Sequence, residues 1–292
     1  MLTRIDWKTS DAQTRQRLFE RPSLGSDAVA VAQDILDAVR ARGEAAVRDY
    51  ALSLDDWAPE AGFRVPDSEL AEAEQALAAE DRDAILAAAE AVRAFHAEQG
   101  YRDYQIETWP GALASRRATP IDVAGLYVPA GTAPLVSTLI MLAVPAQLAG
   151  VPRIAVIAPP RKGQGVEPTV LAAAKLLGVD EVYAIGGAHG VAALGLGVAG
   201  LPKADKIFGP GNAYVAAAKA LLSQSPNGAA ADLPAGPSEV MVVADDAADP
   251  ELVAIDLLSQ AEHDRMAQVV LVAFSEEFAA RVDAQIDVLL KQ

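Results

Sequence analysis

The sequence predicts an α/β fold with parallel β-sheets and a helical N-terminal region. Two observations carry this prediction. In the first ~100 residues, apolar side chains recur at helical spacing, and frequent alanine adds helix propensity. From Val123 onward, strand-like and helix-like stretches alternate, and this alternation favours parallel sheets covered by helices.

The N-terminal helical stretches are predicted over Asp27–Leu52 and Asp67–Gln99, where the apolar positions lie among Glu, Asp and Arg. A short extended passage follows at Gln105–Trp109. It continues through a Pro-Gly turn into Ala112–Arg117, which is the pattern of a β-hairpin. The N-terminal part is therefore predicted to be helical, with one hairpin before the alternating region.

The alternating region is predicted to form six βα units. Strands are expected at 124–128, 154–158, 181–185, 206–208, 239–244 and 268–274. Helices are expected near 136–149, 166–177, 188–197, 212–224, 250–263 and 276–291. In such folds, ligand sites lie at the carboxyl ends of the strands.

Composition excludes several classes of function. A chain of 292 residues with 52% hydrophobic content fits one large or two medium globular domains. Its formal net charge of −16 argues against nucleic acid as a partner, because phosphates would be repelled. With no cysteine, disulfides, thiol nucleophiles and Cys-ligated metals are excluded. The charged N-terminus, Met1–Lys8, lacks the apolar core of a signal peptide, and we expect a cytoplasmic protein.

One segment is long enough to suggest a membrane span, because Val123–Pro152 contains no charged side chain. Four prolines and three glycines interrupt it, which favours a strand, a loop and a short helix over one continuous span. We expect a buried βα unit and no membrane association.

Three strand-to-helix junctions are rich in glycine: Pro129–Thr132, Gly186–Gly190 and Gly209–Asn212. Glycine lets a ligand approach the backbone N–H groups at a helix N-terminus, where the dipole favours phosphate. Any single junction is better explained as a tight turn, and none matches the dinucleotide fingerprint G-x-G-x-x-G. Three such junctions together indicate a ligand of nucleotide size.

Polar residues mark two further places. Ser238 lies in a Gly-Pro-Ser-Glu segment without the G-x-S-x-G elbow of a nucleophile, so either a hydrogen-bonding role or a plain loop fits. Of the three histidines, His96 fits a surface or packing role, and His189 opens a helix at a glycine-rich junction. His263 lies three residues after Gln260, so both side chains face one side of a helix and could hold one ion. Two ligands are too few for a zinc site, which needs about four, or three and an open position.

Considered together, these segments resemble the histidinol dehydrogenase family. The similarity runs from near residue 25 to the end of the chain. The matching stretches, in the family's order and spacing, are Gly125–Leu135, Val144–Gln147, Lys206–Asn212, Pro234–Val240 and Ser259–His263.

The resemblance implies a zinc enzyme of histidine biosynthesis that oxidises L-histidinol to L-histidine, through an aldehyde, in two NAD-dependent hydride transfers. Zinc would orient the amino alcohol, and a general base of near-neutral pKa would remove protons. A homodimer is implied as well. The implied contacts are Tyr127, His189 and Asn212 for NAD, Ser238, Gln260 and His263 for the substrate, and Gln260 and His263 for zinc.

The chain departs from the family pattern in two ways. Position 189 is His where the family usually has Gln, which changes the geometry and charge available to a cofactor. The family's Gly-Pro-Glu-His acid–base pair and two further zinc ligands, one from a domain-swapped partner, are implied to lie beyond residue 292. No catalytic residue is therefore expected within this chain, and the isolated 292 residues are expected to show little activity.

The alternation and the resemblance together predict two nested, incomplete Rossmann-like domains. Residues 1–22 are expected to form a helical arm, residues 23–127 with 237–292 the first domain, and residues 128–236 the inserted second domain. Two other functions stay open. One is an NAD-dependent dehydrogenase of another amino alcohol or polyol, and the other is a non-catalytic nucleotide-binding protein.

Overall fold

A computed structural model describes residues 3–20, 26–129, 135–233, 239–262 and 267–291. The chain divides into two compact units. The larger unit holds residues 24–235, and the smaller unit combines residues 1–23 with 236–292. The predicted α/β class, with parallel sheets and N-terminal helices, is confirmed.

The elements alternate as the sequence predicts from residue 123 onward. The helices are α1 (Ala12–Phe19), α2 (Ser26–Arg42), α3 (Glu44–Asp55), α4 (Asp67–Ala76), α5 (Ala79–Ala97), α6 (Val136–Leu148), α7 (Pro168–Leu176), α8 (Gly187–Leu196), α9 (Ala213–Ser223), α10 (Pro250–Ala261) and α11 (Glu276–Leu289). The strands are β1 (Tyr104–Trp109), β2 (Ala112–Arg116), β3 (Val123–Tyr127), β4 (Arg153–Ala158), β5 (Glu181–Ala184), β6 (Lys206–Phe208), β7 (Ala230–Ala231), β8 (Glu239–Ala244) and β9 (Gln268–Ala273).

Each predicted N-terminal helical stretch divides in two. The first breaks at Gly43, whose φ of +57° belongs to the left-handed region that glycine adopts without a steric penalty. The second breaks at Leu77 and Ala78, which are extended although neither is a helix breaker. The glycine break has a local cause, whereas the second break follows from no residue type in the sequence.

The larger unit is built on a five-stranded sheet with the order β5-β4-β3-β6-β7, in which all described neighbours are parallel. Strand residues alternate between the two faces of this sheet. One face packs against α4, α5, α6 and α7, through residues such as Leu126 and Val156. The other face packs against α2, α3, α8 and α9, through residues such as Ile157 and Ile207. The result is a three-layer, Rossmann-like arrangement.

Helix α8 lies close to the centre of the sheet because glycine replaces a side chain on β3. A Cβ built on Gly125 would lie 2.6 Å from Leu194 Cδ2 and 3.0 Å from Ala204 Cβ. Leu194 is completely buried. This close approach fixes the helix that carries His189 against the strand that carries Tyr127.

The predicted hairpin is confirmed: β1 and β2 pair antiparallel, with an irregularity between Glu107 and Trp109. In the smaller unit, β8 and β9 pair in parallel. One face of this pair is covered by α10 and α11, with Phe278 and Leu257 in the core. The described helices include none long and apolar enough to cross a membrane.

The three domain boundaries predicted from the sequence fall at different places relative to the two compact units. The predicted boundaries after residues 22 and 236 lie within one residue of those of the units. The predicted boundary after residue 127 falls at the end of β3, which is the central strand of the larger unit's sheet. The nested division into two domains stays a prediction.

Candidate functional site

The strand order of the larger unit creates a switch point between β3 and β6. These strands are adjacent, but the chain leaves them toward opposite faces. After β3 it enters α6 on one face, and after β6 it enters α9 on the other. The two connections therefore separate at the carboxyl edge, where open α/β sheets bind ligands. Tyr127 ends β3, and Asn212 follows β6 at this edge.

Tyr127 places its phenol inside the larger unit, beside the start of α8. Burial raises its pKa to about 12, and the negative charge of Asp55 acts in the same direction. A hydrogen bond with the backbone of Gly187 acts in the opposite direction. The phenol therefore stays neutral at physiological pH and can donate or accept a hydrogen bond.

His189 lies in the first turn of α8 and is completely buried. Its Nε2 is 3.1 Å from Asp55 Oδ2, and its ring stacks on Tyr50 with a centroid distance of 6.4 Å. The distance is that of an ion pair, but the alignment is not that of a hydrogen bond. Both ring nitrogens and Asp55 Oδ2 are consequently buried without a hydrogen-bond partner among the described residues. Unpaired groups of this kind are costly and are found at functional or switching sites.

At the start of α8, two glycines let neighbouring groups come close to the backbone. A Cβ on Gly186 would lie 2.3 Å from Pro159 Cγ, and Gly187 has a φ of +59°. Neither position admits a side chain without displacement or strain. The first turn of α8 therefore sits directly beside the end of β4, with backbone N–H groups at a helix N-terminus.

Asn212 caps α9 and remains exposed. Its Oδ1 accepts hydrogen bonds from the backbone N–H groups of Tyr214 and Val215, both at 3.1 Å. Because the cap uses the carboxamide oxygen, the amide NH₂ is the part of the side chain available to an acceptor on a ligand.

A buried lysine and an aspartate hold the loop that leads to Asn212. Lys219, on α9, is 4% exposed. Its Nζ donates to the Gly209 carbonyl at 2.7 Å and to the carboxylate of Asp232. The other carboxylate oxygen of Asp232 accepts the Gly209 N–H at 2.7 Å. Both backbone groups of Gly209 are thus bound to one buried ion pair.

The residues predicted to bind substrate and metal all fall within residues 236–292, which belong to the smaller unit. Gln260 is half-buried on the last turn of α10. Ser238 and His263 lie outside the described residues. Within the described ranges, no three His, Cys, Asp or Glu side chains gather as a metal site would require.

The larger unit therefore gathers Tyr127, His189 and Asn212 at the carboxyl edge of one sheet. Sequence reasoning did not identify Asp55, Lys219 or Asp232. The apolar helix Ala-Tyr-Val-Ala-Ala-Ala-Lys gives one signal, because a lysine among buried positions needs a partner. Nothing local marks Asp55, since it meets His189 only through the tertiary fold.

Comparison with known proteins gives a consistent result. The sequence model of the family described as histidinol dehydrogenase matches residues 20–292. A histidinol dehydrogenase from Xanthomonas euvesicatoria is 44% identical over 293 residues, covering 99% of this chain and 67% of that protein. The Escherichia coli histidinol dehydrogenase is 42% identical over 282 residues, covering 96% of this chain and 64% of that protein.

The solved structures include a related fold. The crystal structure of histidinol dehydrogenase from Elizabethkingia anophelis superposes with a TM-score of 0.87 at 37% identity. The match covers 97% of this chain and 65% of that one. The chain thus spans about two thirds of the length of these relatives, between 64% and 67%.

Proposed function

The chain belongs to the histidinol dehydrogenase family, and from this premise we propose that it forms the NAD-binding part of an enzyme that oxidises L-histidinol to L-histidine through the aldehyde. The observation that carries the proposal is that two glycine-rich junctions, Gly186–Gly190 and Gly209–Asn212, follow parallel strands of one sheet at its carboxyl edge, where Tyr127 also ends β3. The glycine-rich junction predicted at Pro129–Thr132 lies largely outside the described residues. The family places this reaction in histidine biosynthesis.

The loop shapes support a dinucleotide as the ligand. Gly186, Gly187 and Gly209 let the backbone turn or pack where a side chain would collide. Backbone N–H groups at the starts of α8 and α9 favour a negatively charged pyrophosphate. The cofactor supplies the hydride acceptor, and the protein residues supply binding and orientation.

We assign three cofactor contacts. Asn212 donates from its amide NH₂ while its oxygen keeps the helix cap. The neutral phenol of Tyr127 is oriented by the backbone of Gly187. His189 is held inward beside Asp55, so its contact with a cofactor requires the ring to turn away from that carboxylate or the cofactor to reach the buried side of α8.

We propose Ser238, Gln260 and His263 as substrate contacts, and Gln260 and His263 as zinc ligands. Two such ligands leave a zinc coordination shell incomplete. The described residues do not supply the rest of the shell. A homodimer and a cytoplasmic location are likewise proposed from the family.

Binding is the readout that tests these residues. All three proposed cofactor contacts lie in residues 24–235, so they can be tested by binding without turnover. We expect the 292-residue chain to bind NADH, with enhancement or quenching of the nicotinamide fluorescence on titration. Absence of saturable binding by the folded chain would refute the proposed function.

A matched pair of variants tests the assignment of Asn212. Asn212→Asp keeps an N-cap oxygen but replaces the NH₂ donor by a negative charge, so NADH affinity should fall at least about tenfold while the unfolding free energy changes by less than about 0.5 kcal/mol. Asn227→Asp makes the same charge change at an exposed loop position and should leave affinity unchanged. Equal losses in both variants would assign the effect to overall charge instead.

Substrate choice needs a separate experiment. Histidinol-dependent formation of NADH by the full-length gene product, abolished by chelation and restored by zinc, is expected to exceed that with other amino alcohols or polyols. Preference for another alcohol would favour a related dehydrogenase. Binding of NADH without turnover of any alcohol in the longest native polypeptide would favour a non-catalytic nucleotide-binding protein.

A further inference from the structure

We propose that Lys219 and Asp232 are positioning residues that hold the Gly209–Asn212 loop in the conformation that binds the dinucleotide. The inference rests on the cofactor role proposed for Asn212. Neither side chain is proposed to touch the cofactor, and both act through the backbone of Gly209.

The geometry joins three elements through one buried ion pair. Lys219 extends from the second turn of α9, and Asp232 directly follows β7. The backbone N–H of Asp232 donates to the Ile207 carbonyl at 3.2 Å, which continues the sheet one residue beyond β7. From there its carboxylate reaches both the Lys219 ammonium and the Gly209 N–H. The loop is thereby tied to its own following helix and to the next strand.

Gly209 has little freedom to adopt another conformation. Its φ is +117°, and a Cβ there would lie 2.2 Å from the Tyr127 carbonyl oxygen. The ion pair holds its N–H and its C=O from one side, while the end of β3 closes the other side. A displacement of Gly209 would move Asn212, three residues later, relative to Tyr127.

Because Lys219 is buried, its pair with Asp232 differs in energy from an exposed surface ion pair. A lysine almost fully removed from water is disfavoured unless its charge is paired and its donors are used. Removing Asp232 alone leaves the buried ammonium of Lys219 uncompensated. Removing Lys219 alone leaves the partly exposed carboxylate of Asp232 and the Gly209 carbonyl without the ammonium. Either single change should destabilise the protein, whereas removing both charges is often close to neutral. Stability and loop position can therefore be tested independently.

Three variants separate an effect on stability from an effect on the position of the loop: Lys219→Met, Asp232→Asn, and the double variant. We expect Lys219→Met to lower the unfolding midpoint and to weaken NADH binding by about tenfold. In the double variant both charges are gone, so the midpoint should recover toward that of the wild type. Affinity should stay weakened by about the same factor, because the Gly209 carbonyl still lacks the ammonium.

The control is Lys175→Met, which breaks an exposed Lys–Asp pair with Asp180 at 2.9 Å and should change neither quantity. Amide hydrogen exchange of residues 209–215 provides a readout without cofactor, and it should accelerate in Lys219→Met and in the double variant. Affinity that recovers together with the midpoint in the double variant would reduce the pair to a stabilising role and overturn the proposal. Unchanged exchange of residues 209–215 in these variants would also overturn the proposal. Because the exchange is measured without cofactor, this result holds whether or not the wild type binds NADH.

Discussion

The Nε2 atom of His189 lies 3.1 Å from Oδ2 of Asp55, so the first turn of α8 is joined to the last residue of α3. The histidine side chain is almost fully buried, and the carboxylate is about one-fifth exposed. The two residues approach only because α3 and α8 pack on the same face of the sheet. His189 therefore has a role in packing as well as the cofactor contact proposed for it.

The His189–Asp55 pair predicts different effects for two substitutions at position 189. Gln, the usual residue of the family pattern, can donate from its amide to Asp55, so His189→Gln should change the unfolding free energy by less than about 1 kcal/mol. Leu has no polar atom to face Asp55 Oδ2, so His189→Leu should destabilise by about 1–3 kcal/mol because it puts the carboxylate oxygen against an apolar side chain. Urea unfolding at neutral pH measures both values.

The control for this pair is His96, which is half-buried on α5 and contacts Phe95 edge to face with a centroid distance of 5.5 Å. His96→Leu should alter stability by less than about 0.5 kcal/mol, as expected for a site outside a buried network. A His189→Leu variant as stable as the wild type would show that Asp55 does not depend on the imidazole.

Tyr127 predicts a specific loss of stability at alkaline pH. Its pKa is raised from an ordinary value of 10.0 to about 12, chiefly by burial. The neutral phenol is the form favoured by folding, so its contribution is complete below about pH 10 and is lost as the pH rises toward 12. A difference of about two pH units corresponds to roughly 2–3 kcal/mol.

Replacing Tyr127 by Phe should remove this dependence. The unfolding free energy of the wild type should fall more steeply than that of Tyr127→Phe between about pH 10 and about pH 12, measured by urea unfolding. Tyr104→Phe serves as the control, because Tyr104 is exposed on β1 and its loss should leave the slope unchanged. Parallel pH profiles for the wild type and Tyr127→Phe would contradict the assignment.

The strands and helices after residue 123 could be predicted from sequence because apolar periodicity and glycine-rich junctions are local signals. The two-residue strand β7 could not, since Ala230 and Ala231 have no strand preference and are ordered only by pairing with β6. The break at Leu77 and Ala78 is similar: α4 packs against α7 and α5 against α6, so the break is set by tertiary contacts.

The same limit applies to the candidate site. Tyr127, His189 and Asn212 could be proposed from the resemblance to the histidinol dehydrogenase family, and each lies at a strand-to-helix junction. Their partners could not, because Asp55 and Asp232 are ordinary acidic residues until the fold brings them to His189 and to Gly209. The sequence thus predicts where a ligand would bind, and the packing determines which charges hold the site.

The contact between β3 and α8 gives a last prediction, through the size of the residue at position 125. A Cβ on Gly125 would lie 2.6 Å from Leu194 Cδ2, so Gly125→Ala should destabilise by about 1–3 kcal/mol by overpacking. Shortening the opposing side chain should relieve the clash. In a double-mutant cycle with Leu194→Ala, the combined loss should be smaller than the sum of the single losses by about 0.5 kcal/mol or more.

Gly100→Ala is the control, since a Cβ there would contact nothing closer than the Ala97 carbonyl oxygen at 4.0 Å. Strict additivity in the cycle would contradict the prediction, because it would show that Leu194 is not the side chain against which the added methyl group clashes.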